Sequence, residues 1–272
     1  MLSWLGKLDP AKADELAVVN KFLEKPELVR AWEALPINLR KNTDWLSRAS
    51  RWLDEGIEVV ADGDVARLNH SGAEIGRIKN ETLLATNYTH GFEGDAVGEV
   101  VNGCQVFNNG NQIYVKRVPD VSAFTSNERA ILKAEPDAHC LEKHGSDVTD
   151  EALKLRASEG IAPNGEHVGR SGPPYPTQDG SKFNSAEDIS RALSEVGPST
   201  SRYQTAFEAA VINGDKSFAV EFAFSDSAAS LGYGYRKNTL EQVPEIRKVL
   251  AAYKRNDLTG EYYLVTMYPK IN

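Results

Sequence analysis

Apolar positions follow two regimes along the first part of the chain. Over 10–34 they recur at helical spacing: Leu16, Val19, Phe22 and Leu23, then Leu28, Ala31, Trp32 and Leu35. Pro26 predicts a break between the two groups, and Pro36 an end. A further helix is predicted over 40–54 from Leu39, Trp45, Leu46 and Leu53, with Gly56 as its stop. Beyond Gly56 the period drops to two. Short apolar runs are split by Asp62-Gly63, Ser71-Gly72 and Asn109-Gly110, all hairpin signals. Residues 57–117 therefore read as a small antiparallel sheet following the helices. All four tryptophans (Trp4, Trp32, Trp45, Trp52) precede residue 55 and read as helix-packing anchors.

Residues 118–137 form a junction holding a short helical stretch between Pro119 and Pro136. A helix then opens at Thr149, with Asp150 and Glu151 in its first turn. Residues 160–184 are rich in glycine and proline and read as a long loop. Asn184 with Glu187 predicts a capping box, opening a helix striped by Ile189, Leu193 and Val196. Another helix is predicted over 201–212. Phe218, Val220, Phe222 and Phe224 alternate as one face of a strand. GYGY (232–235) reads as a second strand, and the tail as two strands joined by Asn256–Gly260. The expected class is α+β. A helical N-terminal part with a small antiparallel sheet (1–120) precedes a domain with helices packed on a C-terminal antiparallel sheet (121–272).

Composition narrows the chemistry. The 272 residues carry 31 Lys+Arg against 39 Asp+Glu, a net charge of −8. The excess is even: 14 basic against 18 acidic residues in 1–120, and 17 against 21 in the rest. This argues against a broad cationic groove for nucleic acid. The most basic stretch, Arg236–Lys270, has seven cations and four acids. Two cysteines, Cys104 and Cys140, rule out a disulfide framework and a cysteine-rich zinc site. No stretch approaches the roughly 20 apolar residues of a membrane span. The start, MLSWLGKLDP, lacks the apolar run of a signal peptide.

Five histidines are present. His70, His90 and His167 read as turn, surface or loop residues. His139 and His144 stand five apart, about 140° on a regular helix, so a two-histidine metal site is disfavoured. Arg156 lies three residues beyond Leu153, beside the core-facing side of its helix, where its planar fork suits a phosphate. Thr266 and Tyr268 leave the same face of the last strand. Ser181 and Lys182 could add a hydroxyl and a charge, and Tyr233 and Tyr235 stacking faces. Each also has an ordinary structural reading: helix-surface ion pair, strand filler, or turn.

Taken in order, HCLEKHG (139–145), the helix bearing Arg156, GSKF (180–183), GYGY and the closing T-x-Y-P strand form a pattern. Over roughly 125–272 it resembles the C-terminal ribonuclease domains of bacterial polymorphic and contact-dependent inhibition toxins. Within that group it looks most like RNase A-like domains and the barnase/EndoU/colicin-D type of fold. LVRAWEALP and NGCQVFNNGNQIYVKRVPD look like segments preceding such toxin tips.

The resemblance implies a metal-independent endoribonuclease with no cofactor, acting on RNA, tRNA among the candidates. Its catalytic set would be His144, Arg156, Thr266 and Tyr268, with His139 as the alternative histidine. His144 is preferred because it adjoins Gly145 and leads into the helix of Arg156. Ser181, Lys182 and Tyr235 would contact substrate. A cognate immunity protein is implied as partner. So is delivery as the tip of a larger polypeptide into a target-cell cytoplasm. Two rivals remain at this level. An ADP-ribosyltransferase would use Ser199-Thr200-Ser201 and Glu221, and a non-enzymatic delivery or binding module would use none of these.

Overall fold

Two hydrophobic cores form, and the chain divides between Lys116 and Arg117. The computed structural model describes residues 20, 22, 24–88, 93–167 and 174–272. Trp4, Leu16, Val19, Leu23, His90 and part of the Gly/Pro loop (168–173) lie outside the described residues. Against the sequence reading at 120/121, the division falls earlier because Arg117 already belongs to the second unit. Its side chain is buried there, 2.8 Å from Asp147.

In the first unit, α1 (Leu28–Ala34) and α2 (Thr43–Asp54) precede two antiparallel sheets. Helix α2 starts later than predicted, since Leu39–Lys41 is a 3-10 turn and Asn42 caps the helix through the Asp44 amide. Trp32, Trp45 and Trp52 are all buried, the last two edge to face at 6.2 Å. Strands β1 (Glu58–Asp62), β2 (Val65–His70), β3 (Ala73–Lys79) and β4 (Thr82–Ala85) form one sheet in sequence order. Strands β5 (Asp95–Val101), β6 (Cys104–Asn108) and β7 (Ile113–Arg117) form another. Ser71-Gly72 turns with positive φ at both residues, as tight hairpins require. Asn80-Glu81 and Asn102-Gly103 do the same, and the sequence reading did not single them out.

The second unit starts with α3 (Ser126–Leu132), α4 (Cys140–His144) and α5 (Asp150–Glu159). Thr125 and Glu128 make a full capping box on α3. Thr149 caps α5, and Gly160 ends it at φ 78°. The predicted loop 160–184 contains a strand, β8 (Gly180–Phe183), too short to show periodicity. The predicted box at Asn184 is corrected by one residue. Ser185 caps α6 (Ala186–Val196) through the Asp188 amide, while the Asn184 N–H donates to Leu231 O. Helix α7 (Ser201–Asn213) follows.

Five more strands complete the unit: β9 (Ser217–Ala223), β10 (Gly232–Tyr235), β11 (Gln242–Ile246), β12 (Lys248–Arg255) and β13 (Tyr262–Pro269). They form two antiparallel sheets with orders β11-β10-β8 and β13-β12-β9. Strand β11 carries Pro244 and lies at a sheet edge, where a missing donor is tolerated. The architecture is α+β, as the pattern predicts. Among the described residues no helix is long and apolar enough to cross a membrane.

Strand β10 explains its own composition. A Cβ on Gly234 would meet the Gly180 carbonyl, and one on Gly232 would meet the Lys182 carbonyl and the Pro269 ring of β13. The glycines thus let β8 and β13 pack close against β10. Gly234→Ala should lower the unfolding free energy by about 1–3 kcal/mol through overpacking, read from the urea midpoint. An unchanged midpoint would show that the strands can part without loss.

Candidate active site

Helix α4 has only five residues, and its ends are fixed by other elements. His139 is its N-cap, outside the helix, and its N–H donates to Val265 O at 2.8 Å. Val265 is the extra residue of a β-bulge. Ala252 faces Thr266 and Tyr253 faces Leu264, so Val265 has no partner across β12. The bulge also shifts the alternation. Leu264 and Met267 are both in the core, while Thr266 and Tyr268 share the other face. At the far end, the chain turns so sharply at Gly145 that a Cβ would lie 2.6 Å from Leu141 O.

His144 is buried at 4% exposure. Its Nδ1 lies 2.8 Å from the Ser181 carbonyl of β8. A carbonyl only accepts, so Nδ1 carries the proton and Nε2 presents its lone pair. Nε2 makes no hydrogen bond among the described residues. The ring stacks on Tyr268, with centroids 4.9 Å apart and planes 26° from parallel. Burial holds the imidazole well below its ordinary pKa. The Arg156 charge adds to this, the Ser181 bond opposes it, and His139 and Lys143 add further.

Arg156 leaves α5 toward this ring. Its Nη2 donates to Gln178 Oε1 at 2.6 Å, and Gln178 N–H returns a bond to Arg156 O. Its Nε is buried with no hydrogen-bond partner among the described residues. Burial lowers its pKa, and Tyr268, Glu166 and Tyr175 oppose that shift. Thr266 Oγ1 is likewise buried and unpartnered among the described residues. A buried guanidinium donor and a buried hydroxyl without partners are groups that an oxyanion would satisfy.

The structure therefore gathers His144, Arg156 and Tyr268, with Thr266 on the same strand face. His139 is close enough for its charge to act on His144. His139 lies outside the helix, so the 140° separation of a regular helix does not describe the pair. The other predicted residues are engaged within the fold. Ser181 is buried, and its carbonyl orients His144. Lys182 Nζ donates to the carbonyls of Ser146 and Val148, at 3.0 and 2.6 Å. Tyr235 is buried, donates to Asp150 Oδ2 at 2.8 Å, and lies under Lys154. Tyr233 donates to Asp150 Oδ1 at 2.6 Å. Burial, then the Asp150 bond, pushes the Tyr235 phenol up to about 12. These contacts fix α5 against β10 and the α4–α5 turn against β8.

Four further residues emerge from the structure: Asp150, Gln178, and the buried ion pair of Lys143 with Glu166. Their contacts join residues 22 to 85 positions apart in the chain. The adjacency of Lys143 to His144 was the one local signal.

Elsewhere the cations of the tail are mostly paired. Lys248 and Lys270 flank Glu221, Arg247 meets Glu245, and Lys254 meets Asp137. Glu221 is thus held between two lysines. Thr200 caps α7 through the Tyr203 amide instead of lying on a strand. In the first unit an open recess of about 1040 Å³ is lined by Arg51, Asp54, Glu55, Glu93, Asp95 and neighbours. It contains none of the residues gathered around His144.

No protein-family model matches the chain, and a search of curated proteins finds no match. Among solved structures it is similar to a CdiA-CT/CdiI complex from Y. kristensenii 33638. The identity is 12%, covering 35% of this chain and 80% of that one, with a TM-score of 0.28. A likeness of that size carries no argument about fold or activity.

The His144 environment has a consequence for stability. Unfolded, the imidazole titrates near 6.5; folded, it stays neutral well below that. The unfolded state therefore binds the extra proton, and stability falls as pH drops through about 6.5. Between pH 7.5 and 5.5 this group should remove about 1 kcal/mol. His144→Gln should lose that share of the pH slope in urea titrations. Equal slopes in the two proteins would show that His144 protonates freely in the fold.

Proposed function

We propose that the second unit is a metal-independent endoribonuclease, used as a toxin between bacteria. The observation that carries the reading is the buried, neutral His144, fixed through Nδ1 with Nε2 available, beside Arg156 and the Thr266/Tyr268 face. RNA supplies its own nucleophile. His144 Nε2 takes the proton from a 2′-hydroxyl, and the 2′-oxygen bonds to phosphorus. Arg156 and Thr266 stabilise the negative charge that develops on the phosphoryl oxygens. The bond from phosphorus to the 5′-oxygen breaks, and that oxygen receives a proton from the Tyr268 hydroxyl. The products are a 2′,3′-cyclic phosphate and a 5′-hydroxyl end.

The toxin role rests on the resemblance of 125–272 to toxin ribonucleases. With it come a cognate immunity protein as partner, delivery as part of a larger polypeptide, and action in the target-cell cytoplasm. The net charge of −8 suits an enzyme that grips one phosphate and releases it, more than one that coats RNA.

Purified protein with total RNA and tRNA, analysed on gels and by end chemistry, tests this. Wild type should cut in the presence of a chelator and leave cyclic phosphate. His144→Ala should lower the rate by about 10²-fold or more. The acid limb of kcat/KM should lie well below pH 6.5, following the depressed His144 titration. Chelator-sensitive cutting that leaves 3′-hydroxyl ends would overturn the mechanism. Full activity in His144→Ala would move the base to His139.

A further inference from the structure

Buried arginines are commonly held by carboxylates, which orient the fork and cancel its charge at once. Arg156 is held differently. Its Nη2 donates to Gln178, and it makes no salt bridge among the described residues. A guanidinium only donates, so the Gln178 amide presents Oε1 to it and turns Nε2 away. The acceptor that grips the fork therefore carries no formal charge.

The acids nearby have other partners. Glu166 acts on Arg156 through space, but its carboxylate is bound to the Lys143 amine. Glu142 acts on that same lysine. Asp179, the neighbour of Gln178 in sequence, accepts from the Lys237 N–H at 2.8 Å. Asp150 accepts from Tyr233 and Tyr235.

Gln178 is exposed, so packing does not fix its side chain. Its backbone is braced instead. Thr177 Oγ1 donates to Asn238 Oδ1 at 2.8 Å, so Thr177 and Asp179 are both tied to the turn after β10. That turn is tied to α5 by the Asn238 N–H on Ala157 O, at 2.9 Å. At Gly160, where α5 ends, a Cβ would lie 2.3 Å from the Tyr175 carbonyl. The segment 175–179 is thus strapped to the last turn of α5, the turn that carries Arg156.

We propose that Gln178 is a positioning residue: it orients the Arg156 guanidinium for the scissile phosphate and leaves its charge uncancelled. The inference rests on the ribonuclease reading and deepens it. A phosphodiester carries one negative charge, and attack by the deprotonated 2′-oxygen brings a second. A fork gripped by a carboxylate would meet that second charge with part of its field already offset. The neutral amide supplies direction alone.

Two variants of the full chain, close in size to glutamine, separate direction from charge. Gln178→Glu keeps the acceptor and adds a charge; Gln178→Met removes the acceptor and adds none. In RNA cleavage Gln178→Met should lose about threefold in kcat/KM, through the lost hydrogen bond. Gln178→Glu should lose about tenfold or more, part of it in kcat, where the second charge develops. Urea midpoints should not follow that order, because a charged acceptor holds the contact at least as well. A merely structural role gives the reverse order, with Gln178→Glu like wild type and Gln178→Met the poorest. That reverse order, in a wild type that cuts RNA, overturns this inference alone. Inorganic phosphate titrated by calorimetry gives a readout without catalysis: Gln178→Glu should weaken its binding by about tenfold, and Gln178→Met by less. Wild type that cuts no RNA overturns the ribonuclease reading, and the phosphate order then decides this inference by itself. Phosphate bound equally by wild type and Gln178→Glu, or by neither, overturns it.

Discussion

The hydrogen bond from His144 Nδ1 to the Ser181 carbonyl is the contact around which the second unit is arranged. It demands that a strand carbonyl stand opposite a ring on a one-turn helix. A five-residue helix has little stability of its own, so other elements must hold both partners. Strand β8 is held by its pairing with β10, and β10 by the two phenols on Asp150. The turn after His144 is held by Lys182 and by Arg117 through Asp147. Several residues that suggest substrate contacts thus act one step back, as supports of a ring and a carbonyl.

Those supports also set the electrostatics. An imidazole removed from water and ringed by cations stays neutral. The same removal strengthens whatever Arg156 does to an incoming anion. A surface histidine would be protonated over part of the neutral range and would be a base only some of the time. Burial gives up proton affinity and gains a constant protonation state and a fixed tautomer. Asp150 shows the opposite balance. Burial pushes its carboxyl up, but the bonds from Tyr233 and Tyr235 and the nearby lysines outweigh that and hold it low.

What could be read from the sequence follows the range of the forces involved. Helix α5 was legible because its start, Thr149 followed by Asp150 and Glu151, is a local signal. The phenylalanine face of β9 was legible because alternation is local too. The cap of α6 slipped by one because Asn184-Ser185 and Glu187-Asp188 offer the same chemistry in adjacent registers. Strands β8 and β11 were hidden because four or five residues with glycine or proline carry no period. In the site, Thr266 and Tyr268 could be placed on one face from spacing alone. The partnership of Lys143 with Glu166 could not, since it spans 23 residues and a loop. The angle drawn between His139 and His144 presumed a regular helix, and that rule does not extend to His139, which lies outside a helix of one turn.

Both thiols are sealed within their cores. The Cys140 Sγ lies 3.2 Å from the Met267 carbonyl of β13, and burial pushes its thiol up to about 12. Thiolate is the species that oxidants and disulfides attack, and here almost none exists at neutral pH. The Cys140 thiol is therefore closed to exchange with disulfides while the second unit is folded. Passage between an oxidising and a reducing space would leave that sulfur as it is, bonded to nothing but its own Cβ and a proton directed at a carbonyl.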